Sequence, residues 1–366
     1  MTLVAAALAA LPLPIVAASC GGGDETAGFA PVSDQPRLDA GKDADGAFDL
    51  GSAWPDADLT GSAAPDASPG FDASPPETGP PPPTCAGRGA PGNTVVSIPW
   101  GGMTRTAELH VPPSYDGNAA TPLILNFHGF SSNGPEEVLL TRMSAASDKH
   151  GFVVAYPEGV ATSWNAGKCC GTAWANAVDD VGFVKALVEK LSSDLCIDPR
   201  RIYATGMSNG GFLSNRLGCE MSDTFAAIAP VAGVLGIDFD ACKPGRVVPV
   251  LHTHGTQDPL VPYAGGNPVL NVGLTGTLDF PSVAASVGRW REINGCDPQS
   301  TTLFHNGDAT CTRWGCVGGS EVVLCTIDGG GHTWPGGLPI PFLGKTSTDI
   351  DATEAIISFF AAHPMP

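Results

Sequence analysis

Ser208 stands in the run Gly206-Met207-Ser208-Asn209-Gly210-Gly211, directly after the strand-like segment 201–205. A Gly-x-Ser-x-Gly at a strand-to-helix turn puts its serine on a sharp corner, with small neighbours that let the flanking backbone pack closely. Glycine makes up 47 of the 366 residues, so the pattern also arises by chance and its context must decide. A serine hydroxyl is a weak nucleophile near neutral pH. It needs an imidazole to take its proton and a carboxylate to fix that imidazole's tautomer and stabilise its charged form. Both types follow, in the order Ser, Asp, His. Segment 248–257 reads as a buried strand running into Asp258, and segment 320–328 reads as the last core strand, leading into a glycine-rich turn around His332. The bland readings are a turn serine at 208 and a cap of the segment 259–262 at Asp258. His305 and His363 are the other histidines after the acid; one lies in a cysteine-rich insertion and one in the terminal tail. Only His332 combines a preceding strand with a glycine loop.

An acyl-transfer site also needs donors for a developing oxyanion. One is the backbone N–H of Asn209, next after the serine. The other is the backbone N–H of Phe130, because the strand 122–127 ends in His128-Gly129-Phe130. The His128 ring is expected to brace that loop. Trp164 and Trp334 are candidate substrate contacts through their aromatic faces, each equally able to be a packing residue; for Trp174, packing is the expectation. Asp179 and Asp180 form a carboxylate pair of the kind a glycosidase uses, but they open a helix, so N-capping is the stronger reading.

These residues need a scaffold. Runs rich in Val, Ile and Leu alternate with helical patterns, which implies an α/β fold with a mostly parallel sheet covered on both faces. Eight strands are predicted, starting near Thr94, Arg105, Leu123, Phe152, Arg201, Ala226, Val248 and Glu321. Helices are predicted over 135–149, 180–195, 209–217, 281–294 and 348–362. The helix opening at Asn209 aims its N-terminus at the serine, where its dipole favours negative charge.

From about Cys85 onward the chain resembles the secreted esterase family that includes bacterial polyhydroxybutyrate depolymerases, feruloyl esterases and acetylxylan esterases. The resemblance rests on His128-Gly129, Tyr156-Pro157-Glu158-Gly159, Trp164-Asn165 through Cys169-Cys170-Gly171, 178–183, the serine turn, His254-Gly255-Thr256-Gln257-Asp258 and 330–336. It implies an α/β-hydrolase fold, a Ser208–Asp258–His332 triad and ester hydrolysis on a polymer. Phe130 follows His128-Gly129 where many relatives carry Cys, which leaves the backbone donor intact and alters the pocket wall. Within the family the chain ends just after its last helix, with no added substrate-binding domain, so feruloyl or acetyl esters of plant polysaccharide are expected first and poly(3-hydroxybutyrate) second. An acyltransferase and a catalytically inert surface lipoprotein are the readings from other classes.

Residues 1–20 read as a signal peptide, too short and proline-broken to span a bilayer, ending at Ala17-Ala18-Ser19-Cys20 as a lipoprotein signal does. Cys20 is then the lipidated first residue, anchoring the protein to the bacterial outer membrane; free secretion is the alternative. Setting Cys20 aside leaves an even number of the 11 cysteines, as a disulfide framework requires. Cys219 is expected to pair with Cys242, and Cys296, Cys311, Cys316 and Cys325 among themselves. No Cys-x-x-Cys pair occurs and Cys169-Cys170 are adjacent, so no metal and no cofactor is expected. Residues 21–84 form a disordered, proline-rich linker with 12 acids against two bases. The esterase domain spans 85–366, is also acidic, and is expected to be a monomer that binds no nucleic acid.

Overall fold

The structure, a computed structural model, describes residues 85–269 and 278–366. The expected signal peptide, Cys20 and the linker lie outside the described residues. The elements are β1 (Gly92–Trp100), β2 (Met103–Val111), β3 (Thr121–Phe127), α1 (Gly134–Thr141), α2 (Met143–His150), β4 (Val153–Pro157), α3 (Gly171–Ala175), α4 (Asp180–Asp194), β5 (Ile197–Met207), α5 (Asn209–Glu220), β6 (Ala227–Val231), β7 (Val250–Gly255), α6 (Val283–Ile293), β8 (Thr301–Asn306), β9 (Ala309–Gly315), β10 (Glu321–Ile327) and α7 (Ala352–Ala362).

All strands join one sheet in the order β1-β2-β4-β3-β5-β6-β7-β10-β9-β8. The six strands β4, β3, β5, β6, β7 and β10 run parallel, as an α/β-hydrolase fold requires. Antiparallel pairs extend both edges. Ten strands stand among the described residues, where eight are predicted. The two extra ones, β8 and β9, form a hairpin across 301–315, whose period-two pattern is masked by polar residues because it lies half-exposed at the sheet edge.

Alternation along the central strands feeds two separate cores. Leu123, Leu125 and Phe127 face one cluster with side chains of α4, α5 and α6, while Ile124 faces the other, which takes Met143 of α2 and Phe359 and Phe360 of α7. Such strands read as continuous apolar runs because both faces are covered.

The helix expected over 135–149 is two helices, broken at Arg142, whose φ is 54°. The Thr141 carbonyl that a continuous helix would give to its own next turn accepts the Thr353 hydroxyl instead, at 2.6 Å. The Thr141 hydroxyl donates to the Glu137 carbonyl at 2.8 Å and accepts from Asn126 at 3.1 Å. Tertiary hydrogen bonds therefore end α1.

Cys219 pairs with Cys242, and the last four cysteines pair as Cys296–Cys316 and Cys311–Cys325. Cys169–Cys170 is a bond between neighbours. Cys85–Cys196 spans 111 positions and ties the start of the described chain to the foot of β5. In the chain-entropy account a loop of that size is worth about 4–5 kcal/mol. Among the described residues no helix is long and apolar enough to cross a membrane.

Candidate active site

The site residues all follow the carboxyl ends of parallel strands: His128 to Phe130 after β3, Ser208 after β5, Asp258 after β7 and His332 after β10. Open α/β sheets hold their ligands at that edge.

Ser208 has φ 55° and ψ −120°, a left-handed conformation that costs a non-glycine residue of order 1–3 kcal/mol. The surroundings enforce it. Its N–H donates to the Val231 carbonyl at 2.9 Å, stitching the turn to β6. A Cβ on Gly206 or Gly210 would collide with the Phe127 carbonyl oxygen, so only glycine lets β3 pass this close beneath the turn. Asn209 then opens α5 as its first residue.

The loop after β3 lies against the serine, where a Cβ on Gly129 would sit 3.4 Å from the Ser208 Cβ. His128 braces that loop. Its Nδ1–H donates to the Gly129 carbonyl at 2.7 Å, and its Nε2 accepts the Gly159 N–H at 3.0 Å. Burial holds its pKa down to about 4, so the ring is neutral at neutral pH. A 3.8 Å approach to Glu158 is therefore no ion pair, because the nitrogen concerned is already an acceptor.

Asp258 uses both carboxylate oxygens. Oδ1 accepts the backbone N–H groups of Leu260 and Val261, each at 2.8 Å, which is the capping role weighed for it. Oδ2 accepts the Nδ1–H of His332 at 2.7 Å. The two readings of this residue coexist. Burial pushes the Asp258 pKa up, but the facing His332 and the hydrogen bonds from His254 and His332 outweigh it and hold the carboxyl below the usual range. The two loops are also tied by backbone: the Gln257 N–H donates to the Gly330 carbonyl at 2.9 Å, and the His332 N–H to the Leu343 carbonyl at 2.8 Å.

Ser208 and His332 line one cavity of about 320 Å³, together with Gly129, Phe130 and the Cys169–Cys170 pair. Leu260, Val261, Phe280 and Phe342 make its wall largely apolar. Phe342 is 73% exposed and stands at the rim.

The structure does not bring Trp164 or Trp334 to this cavity as substrate contacts. Both are fully buried, and each indole N–H is used inside: Trp164 donates to the His128 carbonyl at 2.9 Å, and Trp334 to the Thr353 hydroxyl at 3.0 Å. Their faces are spent on packing, as in the edge-on contact of Trp164 with Phe127 at 5.4 Å. Trp174, expected to be packed, is 43% exposed. Asp179 caps α4 by accepting the Gly182 N–H at 2.9 Å, whereas Asp180 lies inside the first turn in a buried 2.8 Å pair with Arg105.

Sequence reasoning misses the groups behind the site. The Asn209 side chain clamps Trp164, accepting its N–H at 2.7 Å and donating to its carbonyl at 3.1 Å, while Asp180 accepts the N–H of Asn165 at 2.7 Å. His252 donates to the Nδ1 of His254 at 3.1 Å, and the Nε2–H of His254 is shared between the Val261 carbonyl, 2.8 Å away, and Asp258 at 3.3 Å. Burial, with His254 beside it, keeps the His252 pKa far below normal, so that ring is a neutral strut. The spacing of two histidines on one face of β7 is the only signal of this support in the sequence.

A family model described as Esterase PHB depolymerase matches residues 106–261. Feruloyl esterase B of Piromyces equi is 35% identical over 238 residues, covering 62% of this chain; the chain spans 42% of that protein's length. A protein named Putative esterase NocK, of Nocardia uniformis subsp. tsuyamanensis, is 30% identical over 289 residues, covering 73% of this chain and 82% of that protein. The solved acetyl xylan esterase from Aspergillus awamori superposes with a TM-score of 0.51 at 14% identity, covering 73% of this chain and 99% of that one, a likeness of fold.

Proposed function

The chain belongs to the esterase PHB depolymerase family, and from that membership and the geometry of the site we propose that it is an extracellular serine esterase acting on carboxylic esters of a polymer. The observation that carries this reading is the 2.7 Å hydrogen bond between Asp258 and the Nδ1–H of His332, at a cavity that Ser208 also lines. It leaves the other ring nitrogen of His332 as the proton acceptor.

In this reading His332 Nε2 takes the Ser208 proton as the oxygen attacks the ester carbonyl carbon. The tetrahedral oxyanion is held by the N–H groups of Phe130 and Asn209, and the dipole of α5 adds to their field. Collapse breaks the ester C–O bond, with the His332 proton passing to the leaving alcohol. Water then attacks the acyl-serine, giving its proton to His332, and the acid departs as Ser208 regains a proton. Asp258 stabilises the imidazolium in both halves.

The substrate proposed first is a feruloyl or acetyl ester of plant polysaccharide. The identity to a protein named Feruloyl esterase B supports it, as does an apolar cavity bounded by Phe130, Phe280 and Phe342, suited to an aromatic acyl group. Poly(3-hydroxybutyrate) is the second reading, favoured by the description of the family model itself. The disulfides agree with an oxidising compartment outside the cytoplasm, and lipidation at Cys20 is the proposed means of retention at the cell surface. Methyl ferulate, acetylated xylan and poly(3-hydroxybutyrate) assayed side by side, with Ser208→Ala as control, test the reading. Hydrolysis of at least one that vanishes in the variant supports it. Hydrolysis that survives the loss of Ser208 overturns it.

A further inference from the structure

Two acids, Glu136 and Glu137, line the catalytic cavity and take no part in the mechanism, and of these Glu137 is the one without a partner. It lies on α1, is 1% exposed, and lines the same cavity as Ser208 and His332. Among the described residues neither of its carboxyl oxygens has a hydrogen-bond partner. Its neighbour on the helix is already engaged, since the Ser132 hydroxyl donates to Glu136 at 2.8 Å.

A buried carboxyl left without a partner is a standing cost of about 1–3 kcal/mol, and native proteins keep few of them. The surroundings supply no cation to offset it. Burial alone pushes the Glu137 pKa well above the carboxyl range, which favours the protonated, uncharged form. In that form it offers one O–H donor and a carbonyl acceptor. The rest of the wall is largely apolar, so a polar atom of the substrate meets few other partners there.

We propose that Glu137 is the specificity-determining residue of the acyl pocket, hydrogen-bonding a hydroxyl group carried on the acyl part of the ester. This inference rests on the serine-esterase reading and narrows it. An acetyl group has nothing to offer Glu137. A feruloyl group does, and so does the chain-end hydroxyalkanoyl group of a polyester; these are the acyl parts of one member of the first substrate class and of the second. Glu137 touches the acyl group and takes no part in proton transfer to or from Ser208.

The test compares pairs of esters that differ by one hydroxyl: methyl 4-hydroxycinnamate against methyl cinnamate, and methyl 3-hydroxybutyrate against methyl butyrate. It uses the full chain, with Glu137→Gln, Glu137→Leu and Glu137→Met, and with covalent labelling by a fluorophosphonate to count intact sites. In the wild type, kcat/KM for the hydroxylated member of one pair should exceed that of its partner by about tenfold, one neutral hydrogen bond in a desolvated site. The pair that shows the preference identifies the source of the hydroxyl. Glu137→Gln keeps a donor and an acceptor and should retain the preference, whereas Glu137→Leu and Glu137→Met should bring the ratio close to one. A wild-type ratio near one in both pairs overturns the proposal, and so does a ratio that persists in either apolar variant. The wild-type ratios need no variant, so poor folding of Glu137→Leu does not remove the test. Failure of the fluorophosphonate to label the wild type would instead sink the serine-esterase reading beneath it.

Discussion

Replacing His128 by Gln separates a bracing imidazole from a catalytic one, and the structure sets the size of the effect. The ring is fully buried, its Nδ1–H is given to Gly129, and its Nε2 already accepts from Gly159. A second proton would displace the Gly159 donor and place a charge away from water. The folded pKa is accordingly held to about 4, mainly by burial, against about 6.5 in the unfolded chain. Between those values the unfolded state binds the proton and the native state does not. Stability is therefore complete above about pH 6.5 and falls as the pH drops toward 4. For these two pKa values the loss between about pH 7.5 and about pH 4.5 is about 2–3 kcal/mol. Gln at 128 cannot titrate. Urea unfolding at the two pH values, with the disulfides intact, should show the wild type losing about 2–3 kcal/mol more than His128→Gln. His252 and His363, also buried with lowered pKa values, contribute equally to both chains and cancel in the difference. Equal losses in the two proteins would refute the reasoning, because His128 would then carry its proton as readily folded as unfolded.

Two further outcomes follow from the geometry. In Asp258→Asn the amide oxygen is held by the Leu260 and Val261 N–H groups, which turns the NH₂ toward His332 and forces the wrong imidazole tautomer; turnover of a p-nitrophenyl ester should fall by roughly 10⁴ while the urea midpoint changes little, and near-normal turnover would remove Asp258 from the proposed triad. Gly210→Ala drives a methyl into the Phe127 carbonyl, one residue before the bracing histidine, so stability should fall by about 1–3 kcal/mol with a parallel loss of turnover; an unchanged urea midpoint would mean that β3 is free to move away from the serine turn.

What the sequence made legible and what it hid divide along physical lines. Ser208, Asp258 and His332 sit on turns whose glycines and flanking strands are local features, so their positions at three strand ends could be read from the chain. The break at Arg142 could not, because it is made by Thr353, more than two hundred positions away. The β8–β9 hairpin was hidden for the opposite reason: it buries too little to leave a clean alternation. Trp164 and Trp334 read equally as substrate contacts or as packing, because a tryptophan near a strand end looks the same whether its face meets a ligand or a core. Only the partners of their indole N–H groups decide, and both partners lie inside the protein.

The buried imidazoles around the site have a common electrostatic logic. His128 and His252 are kept neutral by burial, so neither adds a positive charge beside the serine turn or beside Asp258. Asp258 stays ionised because backbone amides on one oxygen and His332 and His254 on the other outweigh its burial. Two rings face that carboxylate, and of the two it is His332 that also lines the cavity with Ser208. In the proposed mechanism this arrangement requires no rearrangement when the His332 imidazolium forms, and the supporting His252 and His254 lie behind the cavity rather than in its lining.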